Sequence, residues 1–315
     1  MPDGLVRIRI GHLSTFYHTA ILLMAGGETG RQPGLEADWR LYGTGPAIVD
    51  AFERKELDLA YIGLPPAIIG IERGVEIKCI AGGHIEGTVL SGRADYKGFP
   101  ETDDLQVICR QFQGQHIGVP GRGSIHDVIL KEVVGRCGLE DAVTVINFAW
   151  ADQITEAAVK GTVSAAVGTP ALAVALRQYA GFRMLYPPSL LWPHNPSYGI
   201  LADTGFLRKE RETVKGFLRL HEEATRVLRE LPAEAARIIS GAVGFISADF
   251  VLETLEISPR YCAALTEGYI SATMQFAACM KRLGYISREM FQDEIFDASL
   301  ISEVHPETDH YHFAG

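Results

Sequence analysis

A glycine-rich loop between a predicted strand and a predicted helix has the residue types that most directly indicate ligand chemistry. Gly121 to Ser124 follow the strand, and Ser124 stands at the N-cap position of a helix predicted over Ile125–Val134. The unpaired backbone N–H groups of a helix N-terminus and the helix dipole attract sulfonate, carboxylate, nitrate or phosphate groups. Arg122, Gly123 and Ser124 are therefore candidate contacts for an anion. The alternative is that Ser124 only caps its helix.

Two further glycine turns, about one helix apart, follow predicted strands in the stretch Tyr42 to Ala67. Strand ends that lead through glycine turns into new helices are the places where open α/β sheets bind ligands. The candidate ligand contacts in these two turns are Gly43, Thr44, Gly63, Leu64 and Pro65.

The elements that must position these turns alternate between short strands and helices. Val6–Ile10 alternates as a first strand does, and Leu57–Ile62 is a short apolar strand that ends at Gly63. From Leu207 the pattern turns helical. The helices predicted in this last part are Ala233–Ser240, Ser247–Leu255, Pro259–Arg282 and Ser287–Phe291.

Length and composition indicate an ordinary α/β protein with two domains. The chain has 315 residues, of which 47% are hydrophobic and 22% charged, enough for two proper cores. A formal net charge of −10 argues against nucleic acid or an anionic membrane as a partner. The five cysteines are dispersed without C-x-x-C spacing, which argues against a disulfide framework and a zinc site.

The amino-terminal sequence MPDGLVRIRIGHLS has no basic region, apolar stretch or cleavage site of a secretory signal. No segment approaches the roughly 18 consecutive apolar residues of a membrane span. As written, the chain is therefore expected to be cytoplasmic. It would be periplasmic, or anchored outside the cytoplasmic membrane, if a signal segment had been removed.

Two motifs carry a family resemblance. The pattern G-x-G-P, a helix and E-L-D-L-A-Y-I-G-L-P-P-A, together with Q-G-Q-H-I-G-V-P-G-R-G-S in the second half, resembles substrate-binding proteins of nitrate/sulfonate/taurine-type ABC importers. The similarity runs from Arg7 to about Leu228. It implies a two-lobed type II periplasmic-binding-protein fold, in which each lobe is a mixed sheet flanked by helices, with a helical C-terminal extension. Lobe one is expected to be 1–90 plus 200–315, and lobe two 91–199.

The resemblance also implies ligand contacts in loops at strand ends. In place of the family's Trp-Glu-Pro triplet this chain has Gly168-Thr169-Pro170, which predicts a roomier or less polar wall. For Phe16 and Tyr17 the alternative is packing on the core, for His84 a hinge or surface role, and for Asp152 a helix cap. The contacts implied are Ser14, Phe16, Tyr17, His18, His84, Asn147, Trp150, Asp152, Thr169 and Tyr198.

The predicted function is binding of a small, anionic solute of the sulfonate, nitrate or carboxylate class in a cleft between the lobes, for import with an ABC permease. No cofactor, metal ion or catalytic residue is predicted. The alternative is an enzyme on the same fold, because the superfamily includes enzymes of thiamine-pyrimidine and menaquinone biosynthesis. An enzyme of the menaquinone type would need a poised carboxylate or histidine, and the eligible residues are His18, His84, Glu86, His126 and Asp152.

The C-terminal tail holds three of the ten histidines. His310 and His312, with Asp309 or His305, could bind a transition metal if they folded together. The prediction for this tail is a disordered segment.

Overall fold

Two five-stranded mixed sheets form the framework of the protein. The computed structural model describes residues 6–26, 35–307 and 309–312. The first five residues of the amino-terminal sequence in which we looked for a secretory signal therefore lie outside the described residues. The strands are β1 (Val6–Leu13), β2 (Leu35–Tyr42), β3 (Leu59–Ile62), β4 (Ile77–Ile85), β5 (Val89–Gly92), β6 (His116–Pro120), β7 (Thr144–Phe148), β8 (Ala165–Gly168), β9 (Arg183–Tyr186) and β10 (Pro196–Asp203).

The two sheets share one construction. The first has the order β2-β1-β3-β10-β4, and the second β7-β6-β8-β5-β9. In each sheet one strand, β10 or β5, runs antiparallel to both of its neighbours. In the first sheet β1 pairs in parallel with β2 and β3, and in the second β6 pairs in parallel with β7 and β8. The carboxyl ends of the parallel strands therefore lie at one edge of each sheet.

Helices cover both sheets and continue as a helical C-terminal part. The predicted α/β architecture is confirmed in this respect. The helices are α1 (Thr19–Met24), α2 (Gly45–Glu53), α3 (Leu64–Glu72), α4 (Leu105–Arg110), α5 (Ile125–Arg136), α6 (Ala151–Val159), α7 (Pro170–Ala180), α8 (Pro188–Leu191), α9 (Thr204–Lys209), α10 (Arg211–Glu230), α11 (Pro232–Val243), α12 (Ala248–Ile257), α13 (Glu267–Arg282), α14 (Gln292–Ile295) and α15 (Ser299–Val304).

The chain crosses between the sheets twice. It leaves the first sheet after Ile85 and enters the second at Val89, and it returns after Tyr186 to begin β10 at Pro196. Glu86, in the outward crossing, has φ +60°, a left-handed conformation that is uncommon outside glycine. Within the described ranges, no helix combines the length and the apolar character that a bilayer-spanning helix requires.

Two helix predictions in the C-terminal part are wrong in their limits. Residues 259–266 are not helical, because the backbone there bonds to β4, with the Gly82 N–H donating to the Ala263 oxygen at 2.8 Å. Residues 287–291 are also not helical, and a short helix follows them instead. In both places the local apolar pattern predicts a helix where more distant partners determine the backbone.

Candidate functional site

In both sheets, helices begin where the parallel strands end. Helices α2 and α3 follow β2 and β3 in the first sheet, and α5 and α7 follow β6 and β8 in the second. Three have hydroxyl caps: Thr44 accepts from the Ala47 N–H at 3.4 Å, Ser124 from that of Asp127 at 3.2 Å, and Thr169 from that of Leu172 at 3.1 Å. The capping role considered for Ser124 is present, and the positive ends of these helix dipoles lie at the strand-end edges.

Strand-end loops of the two sheets approach each other directly. A Cβ atom added to Gly43, after β2, would lie 2.7 Å from the Trp150 ring, which precedes α6 of the second sheet. One added to Gly123 would lie 3.3 Å from Ile69 in α3. Trp150 is 52% exposed and Gly43 is also exposed, so the ring lies against Gly43 while both still meet solvent. Gly43, Trp150 and Gly123 thus lie on facing surfaces, as a cleft between two lobes requires.

A buried carboxylate already serves the N-terminus of α5. Asp127 accepts the Gly123 N–H at 2.8 Å, the Asn147 side-chain amide at 3.0 Å and the Tyr285 hydroxyl. Its side chain is fully buried. The protein's own anion therefore uses the Gly123 donor and the Asn147 amide that the sequence offers to a ligand. The spacing of Asp127, three residues after Ser124, indicates only a helix start, and no sequence signal points to Tyr285.

Tyr285 contributes more than one hydrogen bond to this group. Burial, followed by the nearby Asp127 carboxylate, raises the pKa of Tyr285, so the hydroxyl stays protonated and donates. The Lys131 ammonium lies 2.5 Å from the Tyr285 oxygen and 3.4 Å from Asp127. The Arg122 guanidinium lies 6.0 Å from the centre of the Tyr285 ring and remains exposed. Arg122 is therefore a cation available to a ligand at this loop.

The other predicted contacts divide by exposure. Ser14, Asn147 and Asp152 are exposed, and Phe16, Gly63 and Thr169 are half-buried. Leu64 and Pro65 are buried in the first turn of α3, which begins at Leu64 and accepts proline there because no N–H is needed. Ligand contact by any of these residues stays a prediction.

Four predicted contacts form a buried cluster of rings in the first lobe. His18 lies 4.0 Å from Tyr198 and 4.9 Å from Tyr17, measured between ring centres, and Tyr17 lies 5.1 Å from His84. None is more than 3% exposed. Burial lowers the pKa of His84 to about 4 and that of His18 well below its usual value, so both rings are neutral. Ligand contact by this cluster also stays a prediction.

Two acid–base candidates bond to the crossing segments. Glu86 pairs with the Arg260 guanidinium at 2.8 Å and accepts the His194 N–H at 3.0 Å. His126 lies 3.0 Å from the Thr88 hydroxyl, and burial lowers its pKa to about 4. These groups hold the outward crossing against α5 and the C-terminal part.

An open depression of about 300 Å³ lies at the opposite end of the second lobe. It is lined by His116, Ser164 and Phe182 among others, at the amino ends of β6 and β8. It therefore faces away from the strand-end loops and helix N-termini described above.

The prediction of a disordered C-terminal tail is wrong for the residues that the structure describes. His305 is 7% exposed and Tyr311 1% exposed. The Tyr311 hydroxyl donates to the Ala264 oxygen at 3.1 Å, and its ring stacks 6.3 Å from that of Tyr269. An aromatic side chain that fills the interior can order a polar tail, and the tail's composition does not reveal this.

Solved structures of ABC import components share this fold. The ligand-binding component of an ABC-type import system from Staphylococcus aureus, solved with zinc bound, has a TM-score of 0.78 at 16% identity, over 96% of this chain and 99% of that one. The periplasmic aliphatic sulphonate-binding protein of Escherichia coli has 0.76 at 16%, over 95% and 94%. The periplasmic nitrate-binding protein of Synechocystis PCC 6803 has 0.74 at 12%, over 95% and 88%. The predicted two-lobed fold is confirmed.

Relatives detectable by sequence lead to the same family. Provisionally named binding proteins of Brucella abortus (strain 2308) and Brucella melitensis biotype 1 are each 28% identical over 216 residues, or 67% of this chain. The chain spans 63% of the length of these curated relatives. The model of the NMT1-like family matches residues 3–243. On this match, over more than three quarters of its length, the chain belongs to the NMT1-like family.

Proposed function

We propose that this protein binds a small solute with an anionic group between its two lobes and presents it to an ABC permease for import. The observation that carries the proposal is the approach of Trp150 in one lobe to Gly43 in the other. A ligand held there would contact both lobes at once, so binding and lobe closure would be coupled.

The polar groups at this edge favour an anion with an apolar part. The N-termini of α2 and α3 offer positive dipole ends in the first lobe, and Arg122 offers an exposed cation in the second. Asp127 would repel an anion placed at the first turn of α5, so the acidic group belongs nearer α2 and Arg122. The exposed part of the Trp150 ring suits an apolar substituent.

The names of the structural neighbours support this solute class. One of the structural neighbours is named for sulphonate and another for nitrate, and a third is the ligand-binding component of an import system. The moving units proposed are 1–90 plus 200–315 and 91–199. A protein that delivers its solute to an ABC permease for import acts outside the cytoplasmic membrane, so this function would place the protein there.

The test is a ligand screen followed by titration. Native mass spectrometry of the protein as purified, and thermal-shift assays with alkanesulfonates, nitrate, carboxylates and pyrimidines, should identify one class that raises the melting temperature. Isothermal titration of Trp150→Ala should then show at least tenfold weaker binding, because the ring would no longer bridge to Gly43. Tyr179→Ala is the control, because Tyr179 is 68% exposed near the far end of α7.

Two results would overturn the proposal. One is that Trp150→Ala binds as tightly as the unmodified protein. The other is that a bound compound is converted to a product, which would favour the enzyme of the same superfamily instead.

A further inference from the structure

A cysteine and two histidines from separate parts of the chain meet beside the crossing between the lobes. Cys262 lies in the extended segment between α12 and α13, His305 directly follows α15, and His310 lies in the tail. Their potential ligand atoms all lie within 4.8 Å of one another. None of this depends on the solute site.

Two of the separations are close to the edges of a tetrahedral metal site. The Cys262 Sγ atom lies 3.4 Å from the His305 Nε2 atom, which lies 3.1 Å from the His310 Nδ1 atom. Zinc bonds of about 2.3 Å to sulfur and about 2.0–2.1 Å to nitrogen, at tetrahedral angles, give edges of about 3.5 Å and about 3.3 Å. Small shifts of the side chains would complete this geometry.

A carboxylate that can supply a fourth ligand lies beside His305. One carboxylate oxygen of Glu222, in α10, lies 3.8 Å from the His305 Nε2 atom. The other accepts the Thr225 hydroxyl at 3.1 Å, and this bond orients the carboxylate as outer partners of metal ligands do. Glu222 and Glu307 offset the charge of Arg229, which also lies close to His310.

Hydrogen bonding alone accounts poorly for this convergence. A single ring nitrogen, His305 Nε2, faces a thiol, a second imidazole and a carboxylate, although it carries only one proton or one lone pair. The His305 Nδ1 atom is buried and has no partner among the described residues, so nothing there fixes the tautomer. A cation at the centre would satisfy the converging lone pairs together.

We propose that Cys262, His305 and His310 bind a zinc ion, with Glu222 as the fourth ligand. Cys262 and His305 are buried, while the side chains of His310 and Glu222 are 15% and 21% exposed. The site is therefore closed around two of its ligands and has an entry path at the other two, as a structural site needs.

The ion would fasten the tail to the crossing between the lobes. The Arg260 guanidinium, two residues before Cys262, donates to the backbone oxygen of Tyr311 at 3.1 Å and lies 2.9 Å from His312 Nδ1. The same guanidinium pairs with Glu86 in the outward crossing. A metal that orders the tail therefore stabilises the contacts of the segment on which the lobes would pivot.

The experiment uses the full chain without an affinity tag, stripped with a chelator and titrated with zinc against a competing chelating dye. We expect one zinc per chain and a higher melting temperature with zinc than without it. His305→Ala and His310→Ala should each weaken binding by more than about tenfold. His312→Ala is the matched control in the same tail and should bind as the unmodified protein does. Cobalt in place of zinc should give a sulfur-to-cobalt charge-transfer band that Cys262→Ser abolishes.

Weak binding that is equal in all variants, or that His312→Ala reduces as much as His310→Ala does, would overturn the proposal. A cobalt spectrum without a sulfur band would overturn the assignment of Cys262. If Cys262→Ser or His305→Ala fails to fold, His310→Ala still decides the outcome, because His310 lies at the partly exposed side of the cluster.

Discussion

Buried histidines are the residues through which mild acid should destabilise this protein. Burial lowers the pKa of His84, His126 and His221 to about 4 in each case. Their pKa in the unfolded chain is about 6.5, so the unfolded state binds more protons below that pH. Stability is therefore fully present above pH 6.5 and is lost as the pH falls towards 4, by about 2 kcal/mol for each histidine between pH 7.5 and 5.

The substitution His126→Asn tests this at one position. The Asn side chain can keep a hydrogen bond to the Thr88 hydroxyl but cannot take up a proton in this range. We expect urea unfolding between pH 7.5 and 5 to show a loss of stability smaller by about 2 kcal/mol than in the unmodified protein. His312→Asn, at an exposed ring of the tail, is the control. An unchanged pH dependence in His126→Asn would show that the ring is protonated in the fold.

At the residue scale the sequence predicts local bonds and misses distant ones. Ser124 and Asp127 are three positions apart, and the helix start that they form follows from spacing alone. Tyr285 bonds to the same carboxylate although it lies 158 positions away in the sequence, and Cys262 contacts His305, which lies 43 positions away. Such partners depend on how whole elements pack, which residue spacing does not encode.

The packing of α2 on α3 depends on one glycine. A Cβ atom added to Gly70 in α3 would overlap the Cγ1 atom of Val49 in α2, which is itself buried. Gly70→Ala gains about 1 kcal/mol in helix propensity but forces these helices apart, at a cost of about 1–3 kcal/mol. We therefore expect a net loss of stability in chemical unfolding.

Gly241→Ala in α11 is the matched control, because among the described residues no atom outside its own helix backbone and chain neighbours lies within 4 Å of the added methyl group. It should raise stability by about 0.5–1 kcal/mol. A double-mutant cycle with Val49→Ala should show that the two changes together cost less than their sum. Strictly additive costs would mean that the helices adjust without strain.

At the element scale, strands that end in glycine turns can be predicted from the sequence. Segments whose backbone bonds to distant elements cannot. The sequence predicts a strand over Leu57–Ile62 from an apolar run, a glycine and two prolines, and the structure has β3 over Leu59–Ile62 with α3 starting at Leu64. The segment 259–266 has a helical apolar pattern, yet it bonds to β4. A strand edge that offers hydrogen bonds overrides local propensity there.

On the scale of the whole molecule, the C-terminal part ties the two lobes together. The Ser287 N–H donates to Glu72 at the end of α3 at 2.9 Å, and Tyr285 donates to Asp127 in α5. Arg282, at the end of α13, pairs with Glu132 in α5. On the far side of the second lobe, Arg177 in α7 pairs with Glu253 in α12. Lobe opening must break some of these contacts.

Removal of the Tyr285 hydroxyl should therefore favour the open protein. A hydrogen bond to a charged group contributes about 1.5–3 kcal/mol, and each 1.4 kcal/mol is a factor of ten, so Tyr285→Phe should raise the open-to-closed ratio by about tenfold to a hundredfold. Small-angle X-ray scattering without ligand should give a larger radius of gyration for Tyr285→Phe than for the unmodified protein. The exposed Tyr179→Phe is the control and should leave it unchanged. Addition of the solute found in the screen should restore the compact form, because closure buries it between the lobes. If the scattering curves of Tyr285→Phe and the unmodified protein coincide, other contacts keep the lobes closed, and the Tyr285 hydrogen bond only orders the start of α5.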